Sequence, residues 1–449
     1  MIPILNSLTL ITVGSIIFIL FIKLFIINEK PLFYLISAAF LAHLILISVI
    51  FFNITSYYYP LSTISPFFND GEVFSSNAWL ISKTLKEQIP EKDFFYQTPG
   101  IEYVSHSTFD YAKKLQIPPL DEYEVGYITY IYGVIYAAYG YVPVFINFIN
   151  IVLHLFAGIL VFKIGELVFD KITGYIATIF FIFNPVLFYY STTKLKESIY
   201  IFVALSLLYS LILSVKKKWY YFLPIIPLFL IIVALKPMFF SPLVVTILAY
   251  FFFLLINKKK SLLIIIIPSF IVTAIRQKTF LIETIELILR EGLYRNFAFH
   301  KSLGKVYALL PWGNNFVLEY PSYSLPQILF TIPKAWYHML FEPIVSANLS
   351  MNFIMFIPIK IVFLCLCLFA IFGILISLRE KNRETILFLS FLFCFGSIIA
   401  LGSGNIGTML RHRDIITPII FIYSAYCISK CIPDFKDRSR LYPGNEIMQ

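Results

Sequence analysis

The chain has 449 residues, 59% of them hydrophobic and only 13% charged, and it carries 48 Phe and 30 Tyr. Soluble domains run at roughly 45–50% apolar and about 25% charged, so composition excludes an ordinary soluble domain; the length corresponds instead to membrane crossings of about 20 apolar residues each. The net charge of +10 comes mostly from Lys and Arg in short turns between apolar runs, which reads as membrane topology and argues against nucleic acid as a partner.

Taken in order, the apolar runs predict an all-α polytopic membrane protein with about eleven transmembrane helices (10–12). They lie near 4–27, 31–53, 142–168, 174–191, 197–215, 219–235, 238–256, 261–275, 354–378, 385–402 and 414–431. These group into two N-terminal helices (1–53), a first long loop (54–141), a six-helix block (142–275), a second long loop (276–353), three C-terminal helices (354–431) and a tail (432–449). The triplets Lys216–Lys218 and Lys258–Lys260 sit between apolar runs. Short loops rich in Lys and Arg stay in the cytoplasm, so both triplets mark cytoplasmic turns. Lys23/Lys30, Lys163/Lys171, Arg379/Lys381/Arg383 and the tail (Lys430, Lys436, Arg438, Arg440) then fall on the same side. An odd number of crossings places the N-terminus outside and the C-terminus in the cytoplasm, in a multi-pass protein of the cell inner membrane. The first charge, Lys23, follows the first apolar run rather than preceding it, so that run is expected to anchor the chain and not to be cleaved as a signal peptide.

Both long loops are then extracytoplasmic, and both are expected to hold interfacial helices. The first opens with Tyr57, Tyr58 and Tyr59 at headgroup level and ends in GYITYIYGVIYAAYGY, Gly126 to Tyr141. Its tyrosines favour a helix lying at the interface or re-entering over a twelfth crossing. In the second loop, after Arg276, Leu281, Ile285, Ile288 and Leu289 recur at helical spacing while Glu286, Arg290 and Arg295 fall on other faces. That pattern predicts an amphipathic helix flat on the membrane.

Four external features carry candidate chemistry. The first is Asp70 with Glu72, in a polar stretch that otherwise reads as a turn. The second is NPVLFYYSTTKLKE, Asn184 to Glu197, where Pro185 can break a helix and Lys194, Lys196 and Glu197 follow. Lysines on the external side run against the positive-inside bias and call for a reason. The third is GSGNIGTMLRHRD, Gly402 to Asp414. It spells G-x-G-x-x-G (Gly402, Gly404, Gly407), but no strand precedes it, so the dinucleotide reading fails. What survives is an anion nest of backbone N–H groups with Arg411, His412 and Arg413 beside it, the structural alternative being an Arg411–Asp414 pair. The fourth is Lys334, Trp336, His338 and Phe341-Glu342-Pro343, an anchor before the next span; Lys360, inside that span, snorkels outward or meets a lipid phosphate. His43 and His154 lie singly on spans and read as interhelical hydrogen-bonding groups. The five cysteines form no CxxC and read as packing residues.

Asp70, Phe74 and Ala78 at helical spacing, then Gly126-Tyr127, Asn147 and Asn150, then Pro185…Ser191…Lys194…Glu197, together with Arg411-His412-Arg413 ahead of Pro418, resemble bacterial GT-C-fold integral membrane glycosyltransferases (family 39-like). These enzymes use polyprenyl-phosphate-linked sugars. The likeness is broadest over about residues 66–215. It implies a GT-C-like fold and transfer of a sugar from a polyprenyl-phosphate carrier to a glycan, lipid or protein acceptor on the extracytoplasmic face.

The chemistry expected of such a site is spare. A leaving phosphate is already anionic and needs no protonation, so one carboxylate can take the acceptor's proton while cations hold the phosphate. The resemblance implies Asp70 as that base, with Glu72 the neighbouring candidate. Lys194, Lys196, Arg411, His412, Arg413 and Lys360 would then bind phosphate, with Glu197 orienting Lys194. No organic cofactor is implied; a divalent cation is compatible, and no metal-ligand spacing stands out. Asp70, Lys194 and Arg411 are expected to converge. Two other readings stay open: a polysaccharide polymerase or ligase using polyprenyl-pyrophosphate-linked oligosaccharide, and a lipid or solute transporter.

Overall fold

The computed structural model describes residues 2–26, 29–53, 69–86, 127–236, 239–258, 325–342, 356–403 and 406–432, and all regular structure among them is helical. The chain opens with α1 (Ile2–Phe25), α2 (Lys30–Asn53), α3 (Asn69–Leu85) and α4 (Tyr127–Tyr139). α5 (Pro143–Val168) begins on a proline, whose missing N–H has no helical partner in a first turn anyway. α6 (Lys171–Ile182), α7 (Pro185–Ser191), α8 (Glu197–Lys216), α9 (Ile225–Leu235) and α10 (Phe240–Lys258) follow, with a 3-10 turn at Trp219–Phe222 before α9. The later elements are α11 (Leu325–Phe341), α12 (Phe356–Arg379), α13 (Glu384–Gly402), α14 (Ile406–Arg413) and α15 (Thr417–Cys431).

Among the described residues, six helices are long and apolar enough to cross a membrane: α1, α2, α5, α8, α12 and α13. The run 174–191, expected as one crossing, is instead a broken pair. α6 stops at Ile182 and α7 leaves at 62° to it. Pro185 has no N–H to continue the ladder, and the Asn184 side-chain oxygen accepts from the backbone N–H groups of Val186 and Leu187, both at 3.1 Å, starting a new helix. Counted as one span, the pair makes a seventh. Apolar helices at Tyr220–Leu235 and Phe240–Phe252 are shorter, and the expected crossing 414–431 is a helix only from Thr417. The run 261–275 and the amphipathic stretch after Arg276 lie outside the described residues. α11, by contrast, is a helix that hydropathy did not mark, because Pro333 sits inside it.

The tyrosine-rich stretch forms α4. Its 13 residues span about 20 Å, too short for a crossing. Ile128, Tyr132 and Tyr136 recur every fourth residue and are buried with Ala78 of α3. Gly133 lets the two helices close, since a Cβ there would stand 3.2 Å from the Ala78 carbonyl. At the centre of the bundle, α5 lies against α6 and α8, α15 against α12 and α6, and α10 against α13.

The basic turns gather at one end. There Lys171 Nζ and the Tyr175 hydroxyl both donate to Glu29, each at 2.8 Å. Lys216 donates to the Leu167 carbonyl at 2.9 Å and lies 3.4 Å from Glu384. Asn382 donates to the Val168 carbonyl at 3.0 Å, and Lys430 pairs with Glu380 at 2.7 Å.

Burial alone would push the Glu29 carboxyl up, but the hydrogen bonds from Lys171 and Tyr175 and the Lys171 charge outweigh it and hold it below its ordinary value. A depressed carboxylate adds stability above the unfolded-state pKa and loses it as pH falls through the folded one. Glu29→Gln is therefore expected to flatten the loss of thermal stability below about pH 4.5, read by melting in detergent across pH; an unchanged acid limb would refute the linkage. Separately, a Cβ at Gly373 on α12 would collide with the Tyr423 carbonyl on α15. Gly373→Leu is expected to cost about 1–3 kcal/mol, seen as a lower melting temperature; wild-type melting would mean that the two helices part without cost.

Candidate functional site

The end opposite the basic turns collects charged side chains that are buried. Lys194 is 2% exposed, Lys360 3%, Arg413 4% and Asp414 2%. Charge at such depth costs several kcal/mol per ion unless it is paired and hydrogen-bonded. The place where the bundle accepts that cost is the candidate site.

The turn that carries Lys194 is made by the end of α7. Ser191, Thr192 and Thr193 each donate a hydroxyl hydrogen to the carbonyl three residues back, all at 2.7 Å, beside the backbone N–H bonds that the Tyr189 and Tyr190 carbonyls accept from Thr192 and Thr193. Asn150 of α5 donates both amide hydrogens across, to the Thr193 carbonyl at 2.7 Å and the Leu195 carbonyl at 2.8 Å. From the other side His43 of α2 lies 3.0 Å from Ser191 Oγ, its second ring nitrogen 2.7 Å from the Ala39 carbonyl. Three helices thus fix one short turn.

α3 begins on top of that turn. A Cβ added to Gly71 would meet Lys194 Cβ at 3.5 Å and the Lys194 backbone at 3.6 Å, so the backbone of Gly71 rests on Lys194. Asp70 and Glu72 flank this contact within α3, and their side chains lie outside the described residues. Lys196 Nζ sits 5.3 Å above the Phe74 ring and 5.8 Å from that of Tyr200.

Glu197 opens α8, where a carboxylate is favoured by the helix dipole. Its Oε1 is 3.9 Å from Arg411 Nε, an ion pair without a hydrogen bond, and its Oε2 has no hydrogen-bond partner among the described residues. His412 Nε2 accepts from Lys236 Nζ at 2.5 Å. Arg411 with Glu197 and Lys236 with His412 form a first cluster, joined through the adjacent residues Arg411 and His412, and Lys194 lies three residues before Glu197 under the start of α3.

Arg413 turns elsewhere. Residues two apart on a helix point about 200° around its axis, so Arg411 and Arg413 do not grip one group together. The Arg413 Cζ lies 4.1 Å over the Phe363 ring, and its Nη1 donates to the Met339 carbonyl at 3.2 Å. Lys360, Arg413 and Asp414 line a crevice with Asn184, Phe363 and Thr417. Glu342, bound to His338 at 3.0 Å, and Arg413 are both within electrostatic reach of Lys360. Tyr190 stands between the two clusters, within reach of Asp414, Arg411 and Glu197.

Of the sequence candidates, Glu197 and Arg411 therefore meet, and Lys194 lies against the backbone of α3 between Asp70 and Glu72. Lys196 packs on Phe74, His412 joins through Lys236, and Lys360 and Arg413 form the second cluster. The suggested Arg411–Asp414 pair does not form; Arg411 faces Glu197. Gly404 of the glycine motif lies outside the described residues. Lys236, which sequence reasoning passed over, carried the same signal as Lys194, a lysine at the external end of an apolar run. Among the described residues no three His, Cys, Asp or Glu side chains come together in metal-ligand fashion. No family model matches the chain, and no curated protein or solved structure is similar to it.

Asn150→Leu keeps the bulk but leaves the Thr193 and Leu195 carbonyls without their donor. The expected cost is about 1–3 kcal/mol per orphaned group, measured as a lowered melting temperature, and melting at the wild-type temperature would show that the turn is held by other contacts.

Proposed function

We propose that the chain is a membrane glycosyltransferase that moves a sugar from a polyprenyl-phosphate carrier to a glycan, lipid or protein acceptor on the extracytoplasmic face. The observation that carries this reading is the start of α3 resting on Lys194, next to the Arg411–Glu197 contact. A carboxylate-bearing helix start and a buried cation cluster are thereby brought side by side at the end of the bundle away from the basic turns. By the positive-inside rule those turns are cytoplasmic.

In this reading Asp70 takes the proton of the acceptor hydroxyl as its oxygen attacks the anomeric carbon. The bond from that carbon to the phosphate oxygen breaks, and the electron pair leaves with the phosphate. Lys194 and Arg411 stabilise the charge that develops there, in a dry site where fixed cations act most strongly. Glu197 faces Arg411, and its loose 3.9 Å contact is one that an arriving phosphate can replace. Lys236 and His412 extend the donor set toward the same phosphate. The proton on Asp70 returns to solvent after transfer.

The test is release of polyprenyl phosphate from labelled polyprenyl-phosphate sugars by the protein in liposomes. Wild type is expected to turn over, Asp70→Asn to lose at least about 100-fold in rate, and Arg411→Gln about 100-fold or more. Full activity of Asp70→Asn with an inactive Glu72→Gln would move the base to Glu72. Turnover only with pyrophosphate-linked oligosaccharide would replace the transferase by the polymerase or ligase, and none with either donor would overturn both.

A further inference from the structure

The second cluster has a use of its own. The crevice among α7, α12, α14 and α15 is narrow and opens at its mouth. Three side-chain atoms of its lining residues are buried without a hydrogen-bond partner among the described residues: Lys360 Nζ, Arg413 Nε and Asp414 Oδ2. The first two can only donate, and the carboxylate oxygen accepts. Arg413 is held in place, its guanidinium flat on Phe363 and its Nη1 tied to Met339, so its remaining donor is already oriented. A buried lysine nitrogen with no hydrogen bond among the described residues, only the Phe363 ring 5.2 Å away, is costly, and methionine would fill the same space at no such cost.

We propose that this crevice binds a phosphate ester carrying a hydroxyl beside the phosphate, with Lys360 and Arg413 donating to the phosphate oxygens and Asp414 accepting from the hydroxyl. A bare anion would satisfy the two donors but leave Asp414 Oδ2 facing like charge; the hydroxyl supplies the missing donor. The glycerophosphate headgroup of a membrane lipid and a soluble polyol phosphate share this chemistry. The site stands apart from the transferase reading, and its test needs no transfer reaction.

The full chain in neutral detergent is melted with phosphatidylglycerol, with phosphatidic acid, which lacks the headgroup hydroxyls, and with glycerol 1-phosphate. Phosphatidylglycerol is expected to raise the wild-type melting temperature at concentrations about tenfold or more below those phosphatidic acid requires. Lys360→Met is expected to melt above wild type without ligand, since a buried nitrogen without a hydrogen bond is gone, and to weaken the phosphatidylglycerol response about tenfold or more. A shift from the lipid alone assigns the site to a headgroup; an equal shift from glycerol 1-phosphate assigns it to a soluble ester. The proposal falls if neither ester shifts the melt, if phosphatidic acid matches phosphatidylglycerol, or if Lys360→Met keeps the response or melts below wild type without ligand.

Discussion

Every charged side chain in this bundle answers to one constraint: with so little water around the helices, charge must be paired, hydrogen-bonded or at an end. The two ends meet it differently. At the basic end Lys171, Lys216 and Lys430 each reach a carboxylate or carbonyl on another element, and these contacts tie α1–α2, α5–α6, α12–α13 and α15 together. At the other end charges are deeper, yet several of their polar atoms lack hydrogen-bond partners. The first arrangement holds a fold together; the second is costly to a fold and suits a ligand that completes it.

The break at Asn184–Pro185 makes the second arrangement possible. A straight helix through residue 191 would carry Lys194 outward along the bundle axis. The 62° bend lays α7 across the end instead and turns residues 192–196 under the start of α3. That turn exposes its backbone carbonyls to a dry interior, where each needs a donor. The Ser-Thr-Thr hydroxyls and the Asn150 amide supply them. The sequence NPVLFYYSTTK is therefore a local program of break, cap and sealed turn, and its product is a lysine 2% exposed against a neighbouring helix.

Hydropathy made the long helices legible, since apolar length is the same signal in sequence and in structure. α1, α2, α5, α8, α12 and α13 fall within a few residues of the runs that predict them. Among the described residues six or seven of the expected crossings are long enough to span; α9 and α15 are shorter, because there apolar character outlasts helical continuity, and 261–275 lies outside those residues. Lys194, Lys196, Arg411 and Arg413 were legible by a different route, as cations on the side that the positive-inside bias leaves poor in them. Their partners were not. Which way Arg411 and Arg413 point depends on where α14 starts and how it is rotated against α8 and α12, and no spacing in GTMLRHRD encodes that. The approach of Gly71 to Lys194 joins residues more than a hundred positions apart, and α11 hides behind Pro333 because a proline inside a helix costs propensity that packing against α13 repays.

The acids among these cations settle why the site can work in both directions of binding. At 4 Å two unit charges interact by about 4 kcal/mol at an effective dielectric of 20, so on the transferase reading Arg411 without Glu197 would hold a phosphate more firmly and release it more slowly. Glu197 at 3.9 Å from Arg411 weakens that hold. It is close enough to neutralise and too far to lock the guanidinium in a hydrogen bond. Asp414 is within electrostatic reach of Arg413 and of Glu197. An anion entering either cluster displaces the influence of a carboxylate rather than filling a bare positive hole. On the transferase reading, binding energy is thereby held to the range from which a lipid phosphate can still depart, the step that each turnover must complete.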